Sequence, residues 1–292
     1  MLFAVISWGI SFVATKIALG EITPITLIII RLIMAVFLLV IIAKVTGRDF
    51  SINRKNHSYI FLLALIAVFH LWIQVTGLKY TTVSNTGWII GTAPVFMALL
   101  GFIFFKEKLR LINIAGIVVA FFGLLLLIGR GDFSKINLIS NKGDVMVLAS
   151  SFTWSVYSLV NKKISLSYPP LMTILYLFLT MAILLIPFNI SHEVFESVIH
   201  LTRNAWISLI FLGFICSGVS YVLWAQALSE MDTAKVGAFL YFEPFVTIFA
   251  AWLILNEHIT LVIILSGLII TAGVILVNKK GSSLNKLTTS EL

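Results

Sequence analysis

The sequence predicts an all-α integral membrane protein of ten spanning helices arranged as two inverted five-helix repeats. Three observations carry that prediction: the composition, the length of the apolar blocks, and an internal repeat. Of the 292 residues, 60% are hydrophobic and 11% charged, against roughly 45–50% and about 25% in an ordinary soluble domain. Mean hydropathy is +1.09, and runs such as 25–30 and 116–128 contain no charge. A span takes about 20 apolar residues, so ten spans consume most of the chain and leave no room for a large soluble domain. Runs such as LLLLIG at 124–129 do not alternate, which argues for helices and against a barrel.

Taken in order, the first apolar run, 1–19, lacks a basic leader and a small-residue cleavage site, and is read as a span rather than a signal peptide. The runs 23–45, 58–79, 81–105 and 110–129 follow, with the polar segment TGRDFSINRKNH at 46–57 as the longest break among them. These five form the first repeat, 1–129. The segment 130–142 is a connecting loop. The second repeat, 143–278, holds runs at 143–162, 169–189, 205–229, 232–255 and 260–278, with a longer connection at 190–204. The polar tail, 279–292, is expected to be cytoplasmic and disordered.

Basic residues set the expected orientation. With the N-terminus inside, inner connections and the tail hold thirteen Lys and Arg, outer connections hold six, and Arg31 lies within the second span. The excess places both termini in the cytoplasm. The net charge of +8 is therefore read as a topology signal, and a nucleic-acid partner is not expected. The single cysteine, Cys216, lies in an apolar run, which excludes a disulfide framework and a Cys-rich metal site.

Self-comparison shows the repeat. At an offset of 150, Leu78, Gly87, Pro94, Glu107 and Gly123 meet Leu228, Gly237, Pro244, Glu257 and Gly273. At an offset of 146, Trp8, Lys16 and Pro24 meet Trp154, Lys162 and Pro170, and the change of offset is most simply placed in the 190–204 connection. Five spans per copy is an odd number, so the second copy enters the membrane from the opposite side. This architecture points to secondary transporters, whose sites lie near mid-membrane between the copies.

The stretches SWGISFVATKIALGEITPITLIIIRLIMA at 7–35, APVFMALLGFIFFKEKL at 93–109 and EPFVTIFAAWLILNEHI at 243–259 resemble the EamA family of the drug/metabolite transporter superfamily. The resemblance spans nearly the whole chain. It implies ten helices as two inverted five-helix repeats around a central cavity, and an exporter or exchanger of small metabolites. The matching residues are mostly glycine, proline and packing positions, so they mark the fold and not the cargo.

The candidate site residues come from faces and charges. Trp8, Ser11 and Thr15 repeat as Trp154, Tyr157 and Asn161, one helical face in each copy. His70 and Gln74 align with Ser220 and Trp224, and Asn85, Trp88 and Thr92 share a face of the fourth span. Polar stripes facing lipid are costly, so these are expected to face protein or a cavity and to contact substrate; for each alone, interhelical hydrogen bonding or packing is the plainer alternative. The motif Gly87-x-x-x-Gly91 is read as a close helix contact. Mid-bilayer charge costs at least about 2.5–3.5 kcal/mol, which singles out Arg31, His70 and Glu243. Arg31, roughly 10 Å into its helix, matches an arginine common in the family and is assigned a structural or gate-side role; His70 could equally be a satisfied core histidine. Glu243 is replaced by Ala93 in the other copy, and is expected to be a substrate-contacting or proton-coupling carboxylate, or a structural partner of Arg31 or His70. Pro94 and Pro244 should bend the fourth and ninth spans by removing the bonds to the carbonyls of Ile90 and Leu240, as hinges or as fixed kinks. Glu107 and Glu257 sit at membrane boundaries before the fifth and tenth spans, with structural roles at positive helix ends.

No H-E-x-x-H, G-x-S-x-G or P-loop occurs, so the protein is not expected to be an enzyme, and no metal or cofactor is called for. The partners expected are a small-molecule substrate and the lipid bilayer. Amino acids or their analogues lead as cargo, because a phosphate needs fixed cations and the cavity offers only Arg31, with Lys235 near its rim. A lipid-carrier flippase and a nucleotide-sugar type carrier are the alternatives on the same fold, and a non-transporting membrane scaffold the alternative of another class. A multi-pass cell membrane location, in a bacterial inner membrane, is expected.

Overall fold

The structure, a computed structural model, describes residues 1–51, 57–105, 109–136, 141–165, 169–189, 191–231, 236–237 and 239–278. The described residues are helices joined by short turns, with no strand among them. The first half holds α1 (Leu2–Ala18), α2 (Pro24–Val45), α3 (His57–Lys79), then α4 (Val83–Ile90) and α5 (Ala93–Phe105) as two segments of one apolar run, then α6 (Leu111–Ile128). The second half holds α7 (Lys142–Ser165), α8 (Pro170–Leu185), a short surface helix α9 (His192–Ile199), α10 (Arg203–Ile210), α11 (Ser220–Glu230), α12 (Glu243–Leu255) and α13 (Leu261–Asn278). Between α10 and α11 the chain stays helical but widens to a π-helix over Phe211–Val219.

Local signals account for the boundaries. Pro24 stands at the first helical position of α2, and the Thr23 hydroxyl accepts from the Thr26 amide ahead of it. Thr82 caps α4 and Thr202 caps α10 in the same way. Among the described residues, seven helical stretches are long and apolar enough to cross a membrane: Pro24–Val45, His57–Lys79, Val83–Phe104, Leu111–Ile128, Pro170–Phe188, Arg203–Glu230 and Leu261–Asn278. Leu2–Ala18 and Phe239–Leu255 are apolar but shorter. The remaining run, α7, carries Asp144 and Lys162 near its ends.

Pro94 and Pro244 do not kink continuous helices as the sequence predicts. The break falls just before each proline: α4 ends at Ile90, Gly91 and Thr92 turn, and Pro94 is the second residue of α5. Pro244 is likewise the second residue of α12, after a 3-10 turn at Phe239–Phe242. Proline lacks the amide hydrogen that a first turn leaves unused, so it starts the second segment more easily than it interrupts one.

The packing order sets out the site. Helix α1 lies against α12 and against the α10–π–α11 rod, while α7 lies against α3 and against α4 and α5. Helix α2 packs on α8 and on the π segment, α4 on α12, and α6 on α13. The last pair approaches most closely: a Cβ at Gly273 would stand 2.4 Å from the Ala120 backbone nitrogen, and one at Gly116 2.6 Å from the Gly273 carbonyl oxygen. The Asn113 side chain donates 2.7 Å to the Val277 carbonyl at the end of the same pair. Large side chains such as Phe102, Phe104, Val118, Phe121 and Phe122 are exposed on the outside of α5 and α6, as a lipid-facing surface requires.

Gly273→Ala should therefore destabilise the protein by about 1–3 kcal/mol through overpacking, read as a lowered thermal midpoint in detergent. Gly237→Ala, where the added carbon meets only the Met97 sulfur at 3.8 Å, should leave that midpoint within about 0.5 kcal/mol of the parent.

Candidate functional site

A narrow cavity of about 40 Å³ lies between α1, α2, α3, α4, α7, α11 and α12. Its walls are Trp8, Ser11, Phe12, Thr15, Arg31, His70, Leu71, Gln74, Val75, Leu78, Ile90, Trp154, Tyr221 and Glu243. Thr15 and Leu78 stand near the last turns of α1 and α3, so the cavity extends from the middle of the bundle toward the end where those helices finish.

Each ionisable wall residue is held differently. The Arg31 Nε donates 2.8 Å to the Ser217 hydroxyl in the π segment. In the same segment the Cys216 carbonyl accepts from the Trp8 indole nitrogen, 3.1 Å away. The His70 Nδ1 donates 3.0 Å to the Ser150 carbonyl, with the Thr153 hydroxyl at 3.3 Å, and its ring lies 5.3 Å from that of Trp154. His70 is thus tied to α7 and still borders the cavity. Glu243 has neither structural partner that the sequence suggested: among the described residues no cation lies within 4.0 Å of its carboxylate, and His70 bonds elsewhere.

On the side away from Thr15 the cavity ends in aromatic packing. Trp154 stacks on Tyr157 with centroids 5.1 Å apart, and Trp8 and Trp154 contact Trp224 at 5.4 and 5.5 Å. Tyr157, Asn161 and Trp224 are buried behind this layer, and the Tyr157 hydroxyl, both Asn161 side-chain polar atoms and the Trp224 indole nitrogen have no hydrogen-bond partner among the described residues. The Ser220 hydroxyl bonds back to the Ile215 carbonyl at 3.0 Å. Three further candidates lie outside the cavity wall. Asn85 donates to the Asp144 carboxylate at 3.4 Å, and Thr92 to the Ile89 carbonyl at 2.6 Å. The Trp88 indole sits in a slot over Gly267, where a Cβ would fall within 1.9 Å of the ring, with Phe245 edge-on at 5.3 Å. The structure thus gathers Trp8, Ser11, Thr15, Arg31, His70, Gln74, Trp154 and Glu243 around one space, and leaves Asn85, Trp88, Thr92, Tyr157, Asn161, Ser220 and Trp224 in the packing around it.

Sequence reasoning missed Phe12, Leu71, Val75, Leu78, Ile90 and Tyr221. Only Tyr221 carried a signal, standing one residue from Ser220. The aliphatic wall residues look like any other core residue until their neighbours are known.

The end of the bundle toward which the cavity points is tied by side chains reaching to helix ends. The Lys16 ammonium donates to the Leu78 and Thr81 carbonyls at 2.8 and 2.7 Å, closing the C-terminus of α3. The Glu257 carboxylate accepts from the Val83 and Ser84 amides at 2.8 and 2.9 Å and from the Ser84 hydroxyl at 2.6 Å. A carboxylate at a positive helix end is the role the sequence assigned it, but the helix is α4 in the other half of the chain and not α13, which follows Glu257. Glu107 and Lys235 lie outside the described residues. In the connection between α1 and α2, the exposed Glu21 accepts from the Thr202 hydroxyl and amide at 2.5 and 2.8 Å, and these bonds hold its carboxyl below the usual range. Gly91 faces Pro244, whose Cγ would lie 2.8 Å from an added Cβ, and Gly87 faces Thr247. The Gly-x-x-x-Gly motif is the close contact between α4 and α12.

With this geometry in view, comparison with known proteins is informative. The EamA-like transporter family matches residues 1–129 and 141–279. An uncharacterized transporter of Archaeoglobus fulgidus is 30% identical over 94% of both chains. The uncharacterized transporter YoaV of Bacillus subtilis is 27% identical over 91% of both. A protein of Salmonella typhimurium described as a probable amino-acid metabolite efflux pump is 24% identical over 93% of this chain and 91% of its own. A solved crystal structure superposes with a TM-score of 0.70 at 18% identity, covering 94% of this chain and 93% of that one, which shows a shared fold.

Glu257→Ala should uncap α4 and lower stability by on the order of 1–2 kcal/mol, measured by thermal unfolding. Glu257→Gln, which keeps an acceptor, should recover part of the loss.

Proposed function

The chain belongs to the EamA-like transporter family, and from that premise we propose that it is a secondary transporter that exports or exchanges small metabolites by alternating access, with amino acids or their analogues as the cargo class. Family and relatives are transporters and not enzymes. The observation that carries the reading is the inequality of the two halves of one repeated pattern. Trp8, Ser11 and Thr15 border an open space, while their counterparts Tyr157 and Asn161 are sealed behind Trp154. A carrier with two related half-sites, one open and one shut, has the asymmetry that alternating access requires. In the opposite state the orphaned Tyr157 hydroxyl and Asn161 amide would meet water.

The proposed architecture is ten spans in two inverted repeats, 1–129 and 143–278, joined by 130–142, with both termini and the tail 279–292 cytoplasmic in a bacterial inner membrane. The packing supports this. Contacts of α1 with the α10–π–α11 rod and with α12 are matched by contacts of α7 with α3 and with α4 and α5. The pairs α2 with α8, the α4 segment of the fourth run with α12 of the ninth, and α6 with α13 join counterpart runs, as a two-fold axis in the membrane plane would. The thirteen-to-six basic excess then places the cavity on the outer side. The breaks before Pro94 and Pro244, in contact through Gly91, serve in this reading as hinges.

Amino-acid cargo is favoured by the polarity of the wall. Among the described residues Arg31 is the only Lys or Arg lining the cavity, since Lys16 is engaged by carbonyls at the end of α3, and one guanidinium is too little for a phosphorylated solute. The efflux-pump relative points the same way. Trp8, Ser11, Thr15, His70, Gln74, Trp154 and Glu243 are assigned to substrate contact.

In proteoliposomes, exchange of labelled amino acids should exceed that of nucleosides and sugars. Trp8→Ala and Gln74→Ala should raise KM by about tenfold with the protein still folded, whereas Trp88→Ala should act on stability. Single cysteines on a Cys216→Ser background should label 46–51 from inside and 130–134 from outside. Labelling of both from one side would end the inverted-repeat reading, and the absence of any exchange would end the transporter reading.

A further inference from the structure

The short helix α9 takes no part in the cavity. It lies between two stretches long and apolar enough to cross a membrane, Pro170–Phe188 and Arg203–Glu230, so the chain leaves the bilayer just before it and enters again just after. Its eight residues make a helix of about 12 Å, too short to cross. Both of its flanks are tied. The Thr26 hydroxyl donates 3.2 Å to the Asn189 side-chain oxygen ahead of the helix, and beyond it the Thr202 hydroxyl and amide are held by Glu21. Those two ties come from the first turn of α2 and from the turn before it, so α9 presents a fixed face to the bundle.

Around α9 the side chains fall into three arcs. Val194 and Val198 are half-buried toward the bundle. Next to them Phe195 and Ile199, one turn apart, are 64% and 53% exposed. The remaining arc is polar, with His192, Glu193, Glu196 and His200 all in the open, and Glu196 meets the two imidazoles at 3.9 and 3.4 Å. The flanking spans bring lipid-facing surface up to this helix: Ile183 on α8 and Ile207 on α10 are exposed, and Phe188, where the first span ends, is 77% exposed. In water these aromatic and branched side chains would be uncovered apolar surface. At the boundary between headgroups and acyl chains the same three arcs are all satisfied, one by protein, one by hydrocarbon and one by water.

We propose that α9 is an interfacial anchor that lies in the plane of the membrane surface, with Phe195 and Ile199 inserted among the acyl chains of the leaflet on its side. Its partner is phospholipid, and the grip is apolar. The helix carries two carboxylates and no Lys or Arg, so it has no basic patch with which to select anionic headgroups. Through the Asn189 and Thr202 bonds the anchor also sets the depth of the turn between α1 and α2.

The test reads depth in lipid nanodiscs. On the Cys216→Ser background, Glu193→Cys, Phe195→Cys, Ile199→Cys and His200→Cys each carry a spin label. Labels at 195 and 199 should lie about 5–10 Å below the headgroup surface, open to oxygen and closed to an aqueous nickel chelate, and labels at 193 and 200 should show the reverse. The depths should be the same in phosphatidylcholine alone and with phosphatidylglycerol added. Four labels open to the chelate would put α9 in water and overturn the anchor. Four closed to both reagents would mean that protein, such as a second copy of the chain, covers it, and a depth seen only with phosphatidylglycerol would replace the apolar grip by headgroup charge; either result overturns the proposal. The unaltered protein gives an independent reading that no variant has to fold for. Irradiated in nanodiscs with a phospholipid carrying a diazirine in its acyl chain, it should form adducts on Phe195 or Ile199, and their absence while α5 and α6 are labelled overturns the anchor.

Discussion

A polar atom in the hydrocarbon of a bilayer has no water to bond, and the arrangement of this bundle follows from where such atoms find partners. Arg31 reaches a serine on a neighbouring rod, Trp8 reaches a backbone carbonyl on the same rod, and His70 reaches a carbonyl on α7. Each bond crosses from one half of the chain to the other. The π segment at Phe211–Val219 carries both the Ser217 hydroxyl and the Cys216 carbonyl that receive two of them. Glu243 and Arg31 border the cavity, whereas the Tyr157 hydroxyl and the Asn161 amide, without partners among the described residues, are sealed away from it.

The same requirement acts on helix ends. Lys16 closes the last turn of α3 and Glu257 opens the first turn of α4, so the turn between those helices is held from both sides by side chains of other elements. This network lies at the end toward which the cavity points. Among the described residues, Arg31 is the only Lys or Arg that lines the cavity beside it. Close helix contacts supply the rest of the frame. Where backbones meet at Gly116 and Gly273, or at Gly91 and Pro244, a methyl group is already too much.

The candidate site was partly legible in the chain because polarity inside apolar runs is rare. Trp8, Ser11, Thr15, Arg31, His70, Gln74, Trp154 and Glu243 stood out for that reason, and they converge. The same signal also raised Asn85, Trp88 and Thr92, which settle into contacts with Asp144, Gly267 and the Ile89 carbonyl. Polarity says that a residue avoids lipid; it does not say whether it meets a cavity or a neighbouring helix. Tyr157, Asn161 and Trp224 carry the same kind of polar or aromatic signal and are nevertheless shut away behind Trp154.

Hydropathy carried the class of the protein and its helical runs, since those depend on composition and spacing that survive without coordinates. The glycine motif and the acidic cap before α13 were also readable as kinds of interaction. Their partners were not: that Glu257 serves α4, that the breaks stand ahead of Pro94 and Pro244, that a π turn receives Arg31 and Trp8, and that Phe12, Leu71 and Tyr221 wall the cavity all depend on which helices touch. In a bilayer nearly every helix is apolar all round, so sequence periodicity holds little information about which face meets which neighbour. Packing distances and the pairing of a few polar atoms decide it.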